Sequence, residues 1–436
     1  MKEIRLQNFR CFPEMNIAFK RGVNLLVGDN ATGKTSVLKA CKYVLSSFFC
    51  GFSDDNTKWL NPGNDDFRQM MTDGILLPEQ PIQIAFDVSD ISVIPQPSSP
   101  LDGSLSLRGT LIKNSKKNSR SQTSGIKVYK DYAVTVLKRY IDEEGQHLAL
   151  PLFAAFSTED IHTTRKIDTQ KFKQYVHKPS FGYYECLEGN GFFPYWIKRL
   201  LILQEGRAGH PEIVIVRHAI QTALGEGGCG IICDMDVRPN QGKVYYIFKD
   251  GREIEAEHLS DGYRRLVNIV TDLAFRCALL NRGFYGEDTC AETQGTVLID
   301  EVDLHLHPSL QAVVLKGLRR AFPKLQFIVS SHAPMVMSGV ESNENNLVYL
   351  LDYQVGEGYS ITPTRTYGMD MSTLTNVVLK QVPREALVDK ELHELFDLID
   401  EENTEAARAL LLDMQKRFGD SLPELAQAEA MLNFLD

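Results

Sequence analysis

The sequence predicts an α/β fold: a split core on a parallel sheet, a helical insertion, and a helical C-terminal extension. Three observations lead there. The apolar run over residues 22–27 enters a glycine-bearing loop that opens a helix. A second apolar run, residues 296–299, ends in two acids. Strand and helix patterns then alternate from Asp261 to Ser330, as in a parallel sheet covered by helices. The expected boundaries are 1–157 and 226–370 for the core, 158–225 for the insertion, and 371–436 for the extension.

The first twenty residues alternate as two strands, 2–9 and 15–19, turning around Pro13. A helix is expected over 34–49, loops around a short helix over 50–79, and strands over 81–90 and 105–114. Residues 149–156 read as a buried strand. The pattern turns helical from 158 to 225, clearest at 196–205 and 210–224. Strands follow at 229–237, 243–250 and 252–259. Next come a helix over 261–280, a strand over 296–300, a helix over 309–321 and a strand over 326–330. Two more strands lie at 346–353 and 359–367, and the last fifty residues are helical.

The 436 residues are 43% hydrophobic and 24% charged, enough to bury a core without disulfides or metals. No run approaches the roughly 18 apolar residues of a membrane span. The N-terminus has no apolar signal region, so a cytoplasmic protein away from membranes is expected. The eight cysteines are scattered. Only Cys229 and Cys233 are close, without the second pair that a structural metal needs, so they read as reduced core thiols. Net charge is −10, and residues 383–436 hold 14 acids against 5 bases, so the acidity belongs to the tail. The near-neutral body is not that of a general phosphate-backbone binder. One stretch, 113–130, carries six basic residues and no acid. It reads as a solvated loop or hairpin tip, or as a contact for a nucleic-acid backbone such as DNA or for an acidic partner surface.

The chemistry sits in four motifs. Gly28-Asp29-Asn30-Ala31-Thr32-Gly33-Lys34-Thr35 fits G-x-x-x-x-G-K-T after a strand and before a helix. Glycines let backbone N–H groups close on phosphate oxygens, Lys34 reaches the β- and γ-phosphates, and Thr35 holds Mg²⁺. Asn30, Gly33 and Ser36 are further expected nucleotide contacts, so ATP and Mg²⁺ are the expected cofactors. Asp300 at the end of its strand suits the metal, and Glu301 suits the attacking water. Leu259-Ser260-Asp261-Gly262 offers a hydroxyl, backbone N–H groups and a helix dipole to an anion. His332, in Ser-Ser-His-Ala-Pro after a strand, resembles the switch histidine of ABC ATPases, which would make it a sensor of the γ-phosphate. His305 and His307 read as the run into a helix begun by Pro308 rather than as metal ligands.

The order of these motifs resembles that of ABC ATPases. There the serine–glycine signature contacts the γ-phosphate held by the other subunit, so Ser260, Gly262 and Asp303 would act across a dimer. The stretches 6–12, 260–281, 299–311 and 322–334 together resemble the RecF- and SMC-like ATPases. Within these they are most similar to the PtuA-like ATPases of Septu and retron anti-phage defence. The resemblance is firm over residues 1–50 and 255–350. It implies an ABC dimer or larger oligomer, slow ATP turnover, and a separate HNH-type nuclease subunit that this ATPase regulates. After His332 there is no HNH pattern and no acidic metal cluster, so no nuclease activity is expected in this chain. One departure stands out. The glutamine usual after the strand leading into the insertion is missing, and Ser157-Thr158-Glu159 stands there, leaving that position unassigned. Two other readings remain open: a RecF-like DNA-repair ATPase, and a PARIS-like sensor scaffold that sequesters and releases a toxin.

Overall fold

The computed structural model describes residues 1–52, 57–72, 74–88, 107–116, 122–127, 149–158, 179–189, 192–206, 210–381 and 385–434. Its contacts divide into two compact units, Met1–Asp370 and Met371–Asp436.

The first unit is built on a six-stranded sheet. Its strands are β3 (Val23–Val27), β9 (Leu152–Phe156), β13 (Gly295–Ile299), β14 (Leu325–Ser330), β15 (Leu347–Gln354) and β16 (Gly358–Thr364), ordered β16-β15-β3-β14-β13-β9. All neighbours are parallel except the β15–β16 hairpin. Every residue of β3 and β14 is buried. Strands covered on both faces read as continuous apolar runs, which is why these were visible in the sequence.

A second, antiparallel sheet joins β1 (Glu3–Phe9), β2 (Phe12–Ala18), β6 (Ile82–Val88), β7 (Leu107–Lys113) and β8 (Gln122–Ser124) in the order β2-β1-β6-β7-β8. Its strands alternate buried and exposed because one face meets the core. The basic stretch 113–130 is therefore a hairpin in part. Lys113 is buried at the end of β7, while Lys116 and Lys127 are exposed. Lys117, Arg120 and Lys130 lie outside the described residues, as do residues 159–178 of the expected insertion.

Residues 50–79, expected to be loops around a short helix, hold a 3-10 turn followed by a two-stranded ribbon, β4 (Gln69–Thr72) and β5 (Ile75–Pro78). The insertion contributes helices α2 (Phe193–Gly206) and α3 (Pro211–Leu224), and a small sheet follows from β10 (Ile232–Arg238), β11 (Lys243–Phe248) and β12 (Glu253–Glu255). Helix α1 (Lys34–Ser46) stops three residues short of expectation and tightens into a 3-10 turn at Ser47–Gly51. Helix α4 (Asp261–Tyr285) runs past Leu280 to Gly286, whose φ of +60° ends it. Asn281 does not break the helix because its side chain faces inward. It bonds both backbone groups of Leu150 at 2.6 and 2.8 Å, just before β9. The expected 309–321 helix is split into α5 (Pro308–Gln311) and α6 (Val314–Ala321), with Ala312 and Val313 forming a turn between them.

The second unit opens on a short helical stretch, Met371–Thr373 and Leu374–Val378, followed by three longer helices, α7 (Ala386–Asp400), α8 (Thr404–Phe418) and α9 (Pro423–Phe434). The three longer helices share a core that includes Leu395, Ala407, Met414 and Ala428. Glu385 and Asn403 cap the first two through their side chains. Among the described residues no helix is long and apolar enough to cross a membrane.

Candidate nucleotide site

The site forms where β3, β13 and β14 end side by side. Parallel neighbours open their loops at the same edge, so the loop after β3, the acids after β13 and the segment after β14 converge. The loop after β3 turns on Gly28 (φ +141°), Ala31 (φ +66°) and Gly33 (φ +99°). A Cβ on Gly28 would lie 2.1 Å from the Leu351 carbonyl, and one on Gly33 would lie 2.4 Å from the Phe12 ring and 2.9 Å from the Cys11 sulfur. Only glycine lets the loop rest on β2 and β15 this closely.

Helix α1 starts from Gly33 with no side-chain cap and no acid in its first turn, which leaves its free N–H groups and positive dipole end to an anion. Lys34 is buried, and its ammonium donates to the carbonyls of Gly28 (2.8 Å) and Asp29 (2.6 Å). Burial pulls it from the ordinary lysine value of 10.5 down to about 8, against the opposing pull of Asp29, Asp300, Glu301 and Asp303. A phosphate group beside it would supply the missing counter-charge. Asn30 is exposed on the loop. Ser36 is buried, with its hydroxyl bonded to the Cys11 thiol.

Thr35 Oγ1 lies 3.1 Å from Asp300 Oδ2. A hydroxyl and a carboxylate this close form an all-oxygen donor set, which fits Mg²⁺. Asp300 is fixed from behind. The buried Ser330 hydroxyl donates to its Oδ1, and the buried Arg265 of α4 donates to its carbonyl. Ser330 also accepts the N–H of Glu301 at 2.8 Å. Glu301 itself holds φ +48°, a costly conformation for a non-glycine residue and of the kind found at functional sites. His332 Nε2 stands 4.0 Å from Glu301 Oε1. Thus Lys34, Thr35, Asp300, Glu301 and His332 form one cluster.

Ser157 joins the edge of that cluster. A cavity of about 400 Å³ is lined by Thr35, Asp300, Lys39, Tyr43 and Ser157 among others. Ser157 Oγ donates to the Gly189 carbonyl at 2.9 Å. The strand end lacking its glutamine therefore still places a polar side chain beside Thr35 and Asp300.

The signature segment is held differently. Ser260 precedes α4, is exposed, and makes no cap bond to its own helix. Gly262 is buried against the loop after Glu301, where a Cβ would lie 2.3 Å from the His305 carbonyl. Asp303 has a buried Oδ1 without a hydrogen-bond partner among the described residues. His307 caps α5 through Ser309 N (3.3 Å), and no cluster of metal-ligating side chains occurs among the described residues.

The sequence reading did not reach Arg265, Ser330 or a buried network at the middle of α4. There Asp272 accepts from Trp196 Nε1 (2.7 Å) and pairs with Arg276 (2.7 Å). Arg276 also donates to the carbonyls of Gly182 and Tyr184 at 2.8 and 3.1 Å. Arg265 and Arg276 lie eleven residues apart on one helix. Three turns at 3.6 residues put them on one face, a spacing that could have flagged a polar seam.

A parallel sheet with a phosphate-binding loop, an Asp-Glu strand end and an interposed signature helix defines an ATPase of the ABC type. Residues 23–338 match the family described as "AAA domain, putative AbiEii toxin, Type IV TA system", and the chain belongs to that family. Its relatives include "Retron Vc95 probable ATPase" of Vibrio cholerae serotype O1 biovar El Tor, 24% identical over 405 residues, 81% of this chain and 74% of that one. "Septu protein PtuA" of Bacillus mycoides is 34% identical over 117 residues, 27% of this chain but 15% of that one. "Retron Ec83 probable ATPase" of Escherichia coli is 30% identical over 174 residues, 39% of this chain and 31% of that one. The last two matches thus span under a third of those relatives. Among solved structures, an SMC head bound to the C-winged helix domain of ScpA is 15% identical, with 84% of this chain and 98% of that one covered at a TM-score of 0.46.

Proposed function

We propose that this chain is the ATPase subunit of a Septu- or retron-type anti-phage defence complex, with two ATP sites closed across a pair of identical copies. One observation carries the reading. The phosphate loop, Asp300, Glu301 and His332 meet in one cluster, while Ser260 stands exposed with its hydroxyl unused by its own helix. The relatives' names support the setting.

In this reading Asn30, Gly33, Lys34, Thr35 and the Ser36 N–H bind the triphosphate of one copy. Ser260, Gly262 and Asp303 of the other complete the anion contacts, and the orphaned Asp303 oxygen finds its donor across the seam. Mg²⁺ held by Thr35 and Asp300 would neutralise phosphate charge. The Glu301 carboxylate takes the proton of the attacking water, and His332 fixes that carboxylate and senses the γ-phosphate. ATP then acts as interface glue, and turnover is slow because a gate is served by long occupancy. A separate HNH-type nuclease does the cutting, controlled by nucleotide state, and the acidic unit 371–436 offers it a docking surface. Removing residues 384–436 is expected to abolish co-purification with that nuclease, and unchanged co-purification removes the tail from the account.

Mixing two inactive variants tests the shared site. Lys34→Met spoils the phosphate loop and Ser260→Arg spoils the signature. Random pairing leaves one intact site in half of the pairs, so the mixture is expected to recover about a quarter of wild-type hydrolysis. No recovery, with both variants folded, rejects shared sites.

A further inference from the structure

We infer that the β4–β5 ribbon is a self-association surface, through which two copies of this chain pair without nucleotide. The ribbon carries Met70, Met71, Ile75, Leu76 and Leu77, exposed at 46%, 66%, 62%, 61% and 49%. Five of the large apolar side chains left in water thus sit within eight residues. Register pairs Met70 with Leu77 and Met71 with Leu76. Successive pairs face opposite sides, so the ribbon is apolar on both faces, and these side chains stay exposed on each. Gly74 turns it at φ +76° with open space around it.

The base of the ribbon is anchored. Arg68 N donates to the Asn8 carbonyl, Glu79 N donates to the Arg68 carbonyl, and the Arg68 and Glu79 side chains pair at 2.5 Å. The apolar part therefore projects from a fixed root.

Two features favour a second copy as the occupant. The first is area. These side chains leave on the order of 500 Å² of apolar surface in water, the size of patch that is functional on monomers. Two such patches meeting bury on the order of 1,000 Å², the lower bound of a specific interface. The second is the edge. Among the described strands β4 and β5 pair only with each other, and β4 carries no lysine, proline or charge of the kind that guards exposed edges. Strands with no charged side chain, meeting their twins edge to edge about a two-fold axis, bring no like charges together along the paired edge.

The test is the mass of the nucleotide-free full chain by sedimentation at about 10 μM, compared with the double variant Met71→Asp/Leu76→Asp. Wild type is expected at twice the 49.2 kDa chain mass, and the double variant as a monomer with unchanged circular dichroism. Val355→Asp, at an apolar residue 93% exposed elsewhere, is the control and stays dimeric. A monomeric wild type, or a double variant of unchanged mass, overturns the inference. So does a ribbon whose substitution costs only the binding of a different protein.

Discussion

Lys34 gives the site a pH dependence that can be worked out in advance. In the free protein its ammonium is buried and titrates at about 8. At pH 7 about nine-tenths of the sites carry the charge, and at pH 9 about one-tenth. A bound triphosphate holds the lysine charged, so binding at pH 9 must first take up a proton, at a cost of about 1.4 kcal/mol. The dissociation constant for ATP should therefore rise about tenfold from pH 7 to pH 9. Stability moves in the opposite sense. The folded value lies below the ordinary 10.5, so the folded state holds fewer protons between about 8 and 10.5, and stability rises with pH there. Titration calorimetry in two buffers of different ionisation enthalpy measures affinity and proton uptake together. Lys34→Arg stays charged throughout and reports whatever ATP's own ionisation contributes. A wild-type profile parallel to that of Lys34→Arg, with no proton uptake at pH 9, would refute the argument.

Three further outcomes follow from the geometry. Arg276→Met leaves the Asp272 carboxylate buried beside Trp196 with its ion partner gone, and should cost about 3–5 kcal/mol in denaturant unfolding. Gly33→Ala sets a Cβ 2.4 Å from the Phe12 ring at φ +99°, and should abolish ATP binding in a fluorescent-nucleotide titration while the far-ultraviolet spectrum stays native. Ser260→Ala removes an exposed hydroxyl that makes no cap bond to its own helix. It should leave ATP affinity within about twofold and lower the hydrolysis rate about tenfold or more, consistent with loss of one charge-assisted hydrogen bond.

How much was legible beforehand depended on how local each signal was. The phosphate loop and the Asp300-Glu301 strand end are short contiguous patterns whose geometry follows from glycine placement and strand burial. The supports of Asp300 are not local: Arg265 and Ser330 reach it from 35 and 30 residues away, and each alone reads as an ordinary helix or strand residue. The Asp272–Arg276 pair has an ordinary four-residue helix spacing, and it went unread because the partners that bury it, Trp196, Gly182 and Tyr184, come from the insertion. The β4–β5 ribbon was missed for a physical reason. Alternation marks a strand only when one face is buried, and residues 69–71 and 75–77 are exposed at every position. The longer reach of α4 was hidden by Asn281, whose side chain serves β9 instead of ending the helix.

The central claim, that ATP closes two copies on each other, is tested most directly by mass. Glu301→Gln keeps the shape of the carboxylate but cannot take a proton, so ATP persists. Placed in the background of Met71→Asp/Leu76→Asp, light scattering reads only association driven by nucleotide. The account predicts a monomer without ATP, twice the 49.2 kDa chain mass with Mg-ATP, and a return to monomer when Ser260→Arg is added. A monomer in Mg-ATP that still binds the nucleotide would contradict it.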